Sequence, residues 1–281
     1  MTLVRRFVRS RAAAVGLGVV TVALAMVALA PIVAPMDPLD QDVTARLLGP
    51  LVASDRGLHL LGTDALGRDI ASRIVHGARV SVLVGVASVA VAGTIGVLLG
   101  LASGYAGGRW DAGIMRVADV QLALPFLVLA LALVAAVGPS LPNLIAVLGI
   151  TGWVLYARVV RSETLSLRER EFVTAARAVG ATGVRTVLRH ILPNVTSAII
   201  VVATLQVARM ILFEASLSFL GVGVPPPTPT WGGMISDGRA YISVAWWVST
   251  LPGLALFLTV LGVTLVGDRL RDVLDPRVRD L

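Results

Sequence analysis

The sequence predicts an all-α polytopic membrane protein with six transmembrane helices. Three observations carry that reading. Of 281 residues, 56% are hydrophobic and 15% charged, where a soluble domain carries about 25% charged residues. Several uncharged runs reach the roughly 20 apolar residues that a helix needs to cross a bilayer. The runs are also too long and too uniformly apolar for barrel strands, which alternate in roughly 10-residue segments.

The first span is read from about Ala12 to Ala34. Its basic start and the Ala28-Leu29-Ala30 segment also fit a cleaved leader. The apolar run exceeds the roughly 7–15 residues of a leader core, so the span is kept. The second runs from Val80 to about Tyr105, uncharged between Arg79 and Arg109. From Val120 to Ala157 there is again no charge, and Gly138-Pro139-Ser140-Leu141-Pro142-Asn143 breaks that stretch as a turn. This gives a third span from about Ile114 to Val137 and a fourth from about Leu144 to Ala157. The fifth covers about Val195 to Leu220, and the sixth about Tyr241 to Gly267.

Arginine placement orients the bundle. With the N-terminus inside, 17 arginines lie in inner segments, 6 in outer ones (Arg46, Arg56, Arg68, Arg73, Arg79, Arg239) and Arg209 within a span. The positive-inside rule then places both termini in the cytoplasm of a multi-pass protein. The expected division is an inner tail at 1–11, a six-helix transmembrane domain at 12–267 and an inner tail at 268–281. Within the domain, an outer loop spans 35–79 and an inner loop 158–194.

All 24 basic residues are arginine, and there is no cysteine. Without lysine the chain cannot build a P-loop to hold ATP phosphates, nor a Schiff base. Thiolate metal sites, disulfides and cysteine nucleophiles are excluded. The net charge of +7 fits basic inner loops rather than nucleic-acid binding. Gly138-Pro139-Ser140 is a bare turn, and His59, His76 and His190 fall on different sides of the bilayer. No catalytic site is assembled from these residues, and no metal or cofactor site is expected.

The inner loop holds the strongest functional signal. Phe172, Ala175, Ala176 and Val179 recur at i, i+3, i+4, i+7, as do Val184, Val187, Leu188 and Ile191. Each set describes a one-faced helix. Gly180 suits a helix C-terminus, Gly183 gives the restart its freedom, and Pro193 resets direction before the fifth span. Glu171 opens the segment. The alanines admit close approach of another backbone, and Arg168, Arg170, Arg177, Arg185 and Arg189 are available to acidic partners or lipid phosphates. From the residues alone, docking of a cytosolic partner and packing on the inner leaflet both stay open.

This segment resembles the "EAA" loop of permease subunits in bacterial ABC importers. Ala175-Ala176, Gly180 and Leu192-Pro193 match that pattern, while Thr174 holds the position of its glutamate. Further motifs resemble the dipeptide/oligopeptide/nickel permease family, and its second, "C-type" subunit most closely. They are Leu61-Gly62-Thr63-Asp64, Gly67-Arg68-Asp69, Gly104-Tyr105-Ala106-Gly107-Gly108, Glu214-Ala215-Ser216-Leu217-Ser218-Phe219-Leu220-Gly221, Pro226-Pro227-Thr228-Pro229-Thr230-Trp231-Gly232, and Gly267-Asp268 through Leu274-Asp275-Pro276-Arg277.

The resemblance implies an ABC type I importer permease fold in the bacterial inner membrane. It implies a coupling role for Glu171, Phe172, Ala175, Ala176, Arg177, Val179, Gly180, Leu192 and Pro193. The implied partners are a second homologous permease subunit (a heterodimer), two cytoplasmic ATPase subunits that hold ATP and magnesium, and an extracytoplasmic substrate-binding protein, all in membrane lipid. The chain would then be a non-catalytic transport subunit for peptides or similar small solutes. The alternative is an ion-coupled secondary transporter acting alone, with Glu214 and Asp119 as titratable candidates.

Other features have plainer readings. Gly96, Gly100 and Gly104 form a small-xxx-small helix-packing stripe. Arg209 and Glu214 are pathway or intramembrane polar groups, too poorly phased to share a helix face. Residues Ala65 to Val80 suggest an amphipathic helix on the outer surface, with Asp69 and Arg73 paired at i, i+4. Trp246 and Trp247 read as interfacial anchors, and Pro225 to Pro229 as a stiff outer loop.

Overall fold

The computed structural model describes residues 10–274; Arg5, Arg6, Arg9 and Asp275-Pro276-Arg277 lie outside the described residues. Helix α1 (Arg11–Val33) starts where the Ser10 side chain accepts from Ala13 N. It packs on the last long helix through facing glycines. A Cβ on Gly16 would stand 3.0 Å from Gly262 O, and one on Gly262 would stand 3.2 Å from Gly16 O.

The segment from 34 to 69 folds as a cap at one end of the bundle. It holds a short hairpin of β1 (Val52–Ser54) and β2 (Gly57–His59). Buried polar groups fasten it. Thr63 Oγ1 accepts from Leu48 N at 2.8 Å and donates to Ala45 O, and Met36 N donates to Ser72 Oγ at 2.9 Å. His59 Nδ1 lies 3.0 Å from Asp69 Oδ1. Gly67 takes φ +75°, and a Cβ there would collide with the Asp42 carbonyl.

Helix α2 (Ile70–Ala106) begins ten residues before the expected second span, at its cap residue Asp69. The expected surface helix over Ala65–Val80 is therefore replaced by the first turns of a span. The physical reason is the N-cap: Asp69 Oδ2 accepts from Ser72 N and Ser72 Oγ, both at 2.8 Å. That commitment also removes the expected Asp69–Arg73 pair. Arg73 instead faces Asp64 at 3.5 Å and Asp237 at 3.7 Å.

The third span is not one straight helix. Helix α3 (Gly108–Leu122) and helix α4 (Phe126–Val137) meet at a bend of 91°. Pro125 supplies the reason: it lacks an N–H and pushes Leu124 out of the helical region. Helix α5 (Leu141–Arg168) overruns the expected fourth span at both ends. Helix α6 (Glu171–Ala178) is short.

Helix α7 runs from Gly183 to Phe219. The expected reset at Pro193 is absent, because a π turn at Val187–Ile191 precedes the proline, with Leu192 N bonded to Val187 O. A π turn accommodates a missing donor without ending the helix. Gly183 also acts otherwise than expected. It is needed for closeness rather than freedom, since a Cβ would stand 3.1 Å from Tyr105 Cε1.

Helix α8 (Trp231–Gly238) seats Trp231, whose Nε1 donates to Ile74 O at 3.0 Å. Helix α9 (Trp247–Leu274) starts later than the expected sixth span. Trp247 is no free anchor: its Nε1 donates to Thr63 O at 3.2 Å, which ties α9 to the cap. Trp246 stays exposed. Among the described residues five helices are long and apolar enough to cross a membrane, or six with the bent α3–α4 pair counted as one span.

The main seam joins α2 to α5. A Cβ on Gly96 would collide with Trp153 O; one on Gly100 would stand 2.7 Å from Ala157 O, and one on Gly104 2.9 Å from Arg161 O. Small residues at this spacing let two backbones touch, which is how helices gain packing energy in lipid.

Candidate functional site

The site is built at the end of the bundle opposite the cap. Helix α6 starts from Arg170, which is extended at φ −73°, ψ 146°. Glu171 lies in the first turn, where a carboxylate favours the helix dipole. The helix ends as its sequence suggests. Gly180 takes φ +90°, and Ala181 N reaches back to Ala176 O at 3.0 Å. This six-to-one bond with a left-handed glycine closes the last turn. Thr182 then caps α7, its side chain accepting from Arg185 N.

Only Val173 of α6 is buried. It enters a cluster with Leu101, Val160, Ile191 and Val195, flanked by Tyr105, Leu167, Val187 and Leu192. The apolar stripe read from the sequence points the other way. Phe172 is 43% exposed and Val179 90%, with Ala175 exposed and Ala176 half-buried. The second stripe divides: Ile191 is buried, while Val184 and Leu188 are 71% and 57% exposed beside the first. Exposed apolar side chains therefore stand on both α6 and the first turns of α7. Leu192 belongs to the core and Pro193 is exposed.

The five arginines divide as well. Arg170, Arg185 and Arg189 are exposed around the stripe. Arg177 and Arg168 are not free, as the sequence had suggested. The Arg177 guanidinium stands 5.0 Å over the Tyr105 ring, and Arg168 Nη1 donates to Gly104 O at 3.1 Å. Both bind α6 and its approach to the end of α2.

Sequence reasoning missed the brace beneath. Arg161 holds Asp111 by two bonds of 2.5 and 2.6 Å, and Ser103 Oγ donates to the same carboxylate. Bidentate pairing of this kind is strong and geometrically specific. It locks α2, α3 and α5 together at the level where α6 is attached. The spacing of Asp111 and Arg161, 50 residues apart, carries no local signal.

The intramembrane pair also separates. Glu214 is fully buried and accepts from Ser218 Oγ at 2.7 Å. Arg209 is exposed, with Gln206 Oε1 at 3.5 Å.

At the cap end lies a cleft of about 510 Å³, lined among others by Asp64, Arg68, Arg73, Pro226, Asp237 and Tyr241. Arg68 Nε donates to Asp64 at 2.7 Å. Burial pushes the Asp237 carboxyl above the usual carboxylate range, against the lowering effect of Arg73 and Arg68.

Known proteins match both the sequence and the fold. A family described as the binding-protein-dependent transport system inner membrane component matches residues 96–280. The N-terminal TM domain of oligopeptide transport permease C matches residues 2–50. A di/tripeptide transport system permease protein of Pseudomonas aeruginosa is 45% identical over 89% of this chain and 83% of its own length. A probable D,D-dipeptide transport system permease protein of Escherichia coli is 42% identical over 92% and 85%. A glutathione transport system permease protein of Escherichia coli is 44% identical over 79% and 73%. Among solved structures, the MetNI methionine ABC transporter in inward-facing conformations aligns with a TM-score of 0.58 and 21% identity, over 72% of this chain and 96% of that one. By these matches the chain belongs to the family of inner-membrane permease components of binding-protein-dependent transport systems.

Proposed function

We propose that the chain moves peptides or similar small solutes across the bacterial inner membrane by alternating access, beside a second homologous permease. A substrate-binding protein delivers the solute at the cap end. Two cytoplasmic ATPase subunits, which bind the ATP and magnesium, grip the α6 end. Both termini and α6 then lie in the cytoplasm, consistent with the arginine excess of the inner segments.

The observation that carries the coupling role is the outward stripe of α6. Its apolar side chains stand exposed among the described residues, flanked by Arg170, Arg185 and Arg189. Glu171, Phe172, Ala175, Ala176, Val179 and Gly180 would enter a groove of the ATPase. Arg177 braces the helix against Tyr105, and Leu192 and Pro193 carry the movement into α7. Peptide cargo is supported by the relatives, which are named for dipeptide, tripeptide and glutathione transport.

Co-purification from native membranes tests the reading. ATPase subunits and a second permease should come down with the chain, and the associated binding protein should retain a peptide. If the purified chain alone moved solute in liposomes, the proposal would fail.

A further inference from the structure

Arg209 occupies a position that the rest of the molecule does not explain. It stands near mid-depth of α7, between the two ends of the span read from Val195 to Leu220. The other charge in that span, Glu214, is buried and hydrogen-bonded. Arg209 is exposed, and among the described residues it is held by one long bond to the neutral Gln206.

The neighbours of α7 fix which way it faces. Helix α2 lies on the Ile211 side, α5 on Met210, α9 on Thr204 and Leu205, and α8 on Ala215. Helix α4 stacks Phe126 on Phe213, centroids 4.2 Å apart. Arg209, Leu212 and Ser216, at i, i+3 and i+7, share their face with Leu205, so α9 covers that face one turn earlier and leaves it open from Arg209 onward. Leu212 is 43% exposed and Ser216 half-buried. A guanidinium exposed at this depth does not suit a lipid-facing surface; intramembrane charges face protein or water. A head group restrained by one neutral contact keeps most of its five donors available.

We propose that Arg209 lines the solute pathway and receives the carboxylate of the passing peptide. This rests on the reading of the chain as a peptide permease. The planar fork of arginine matches a carboxylate with two parallel bonds, which a point charge does not reproduce. Leu212 and Ser216 would form the rest of the stripe that the solute passes.

The absence of cysteine makes the test direct. In the assembled transporter in native membranes, Arg209→Cys and Leu212→Cys on this subunit should react with water-soluble methanethiosulfonates. Leu24→Cys on α1 should not. At Leu212→Cys an anionic reagent should outpace a cationic one about tenfold, and Arg209→Met should bring that ratio near one. Dipeptide uptake should fall about tenfold in Arg209→Met, with assembly and ATP hydrolysis kept, and Arg209→Lys should recover part of the loss. Shielding of both cysteines in the assembly would overturn the proposal, as it would place the stripe against the second permease. Unchanged uptake in Arg209→Met would overturn it too. If the unmodified transporter carried no peptide, the functional reading would fail instead, while the reagent ratio would still decide whether Arg209 faces water.

Discussion

The two ends of the bundle handle their side chains in opposite ways. At the cap end, hydrogen bonds made by this chain tie down buried polar groups: His59 with Asp69, Thr63 with Leu48 and Ala45, Trp247 with Thr63. At the α6 end, the polar brace of Arg161 and Asp111 is finished, but an apolar stripe through Phe172, Val179 and Leu188 is left in the open. On the proposed reading, the contrast separates what the chain stabilises alone from what an assembly would complete. A cap that ties down most of its buried polar groups, Arg73 Nη1 excepted, draws its stability from within the chain. A stripe that leaves valine and phenylalanine exposed gains its stabilisation only on contact.

Substitutions at the two ends can break or sharpen this contrast. The largest effect is expected at Gly67. Gly67→Val combines a positive φ with a collision at the Asp42 carbonyl, and should cost about 3–5 kcal/mol, the range of severe backbone and packing errors. A melting curve of the detergent-solubilised chain measures it; an unshifted midpoint would mean that the cap is not a packed unit. Next is Val173→Ala, which empties the one buried position of α6 and should cost about 2 kcal/mol in the same assay.

Phe172→Ala, one residue away, should change stability by less than about 0.5 kcal/mol because the side chain is already half in solvent. It should nevertheless lower coupled transport severalfold. Equal melting shifts at Val173 and Phe172 would erase the distinction between an inner and an outer face. The smallest effect concerns pH at the cap. Burial holds the Asp237 carboxyl above the value of an unfolded chain. The folded state therefore binds its proton more tightly, and this group's contribution to stability grows as pH falls through the raised value and is lost as pH rises through it. Asp237→Asn should flatten that slope in melting curves taken from neutral pH downward; an unaltered slope would assign the effect to another group.

Much of the architecture was legible because lipid imposes long apolar runs that few soluble sequences contain. The α6 surface was legible too: periodicity marked Phe172, Ala175, Ala176 and Val179, and Gly180 marked the stop. Periodicity alone could not say whether that stripe faced the core or the outside, since both give the same spacing. Val173, which does the inward packing, stands outside the stripe. What stayed hidden depended on partners distant in sequence. Asp69 looked like a partner for Arg73 until His59 and the Ser72 amide claimed it. Trp247 looked like a lipid anchor until Thr63 appeared beside it. The bend at Pro125 could be anticipated from proline chemistry, but its 91° depends on the packing around it. Pro193 shows the reverse, a proline whose usual break is absorbed by the turn before it.

The unbroken course of α7 has a mechanical consequence. From Gly183 to Phe219 it spans 37 residues, which makes a rod about 55 Å long. Its first residue abuts Tyr105, and beyond its last the chain runs on to the prolines around the cleft. A tilt of about five degrees pivoting at the Gly183 end would sweep the far tip by about 5 Å. On the proposed reading, a small push at the α6 end would widen or pinch the cleft at the cap end without any hinge between them.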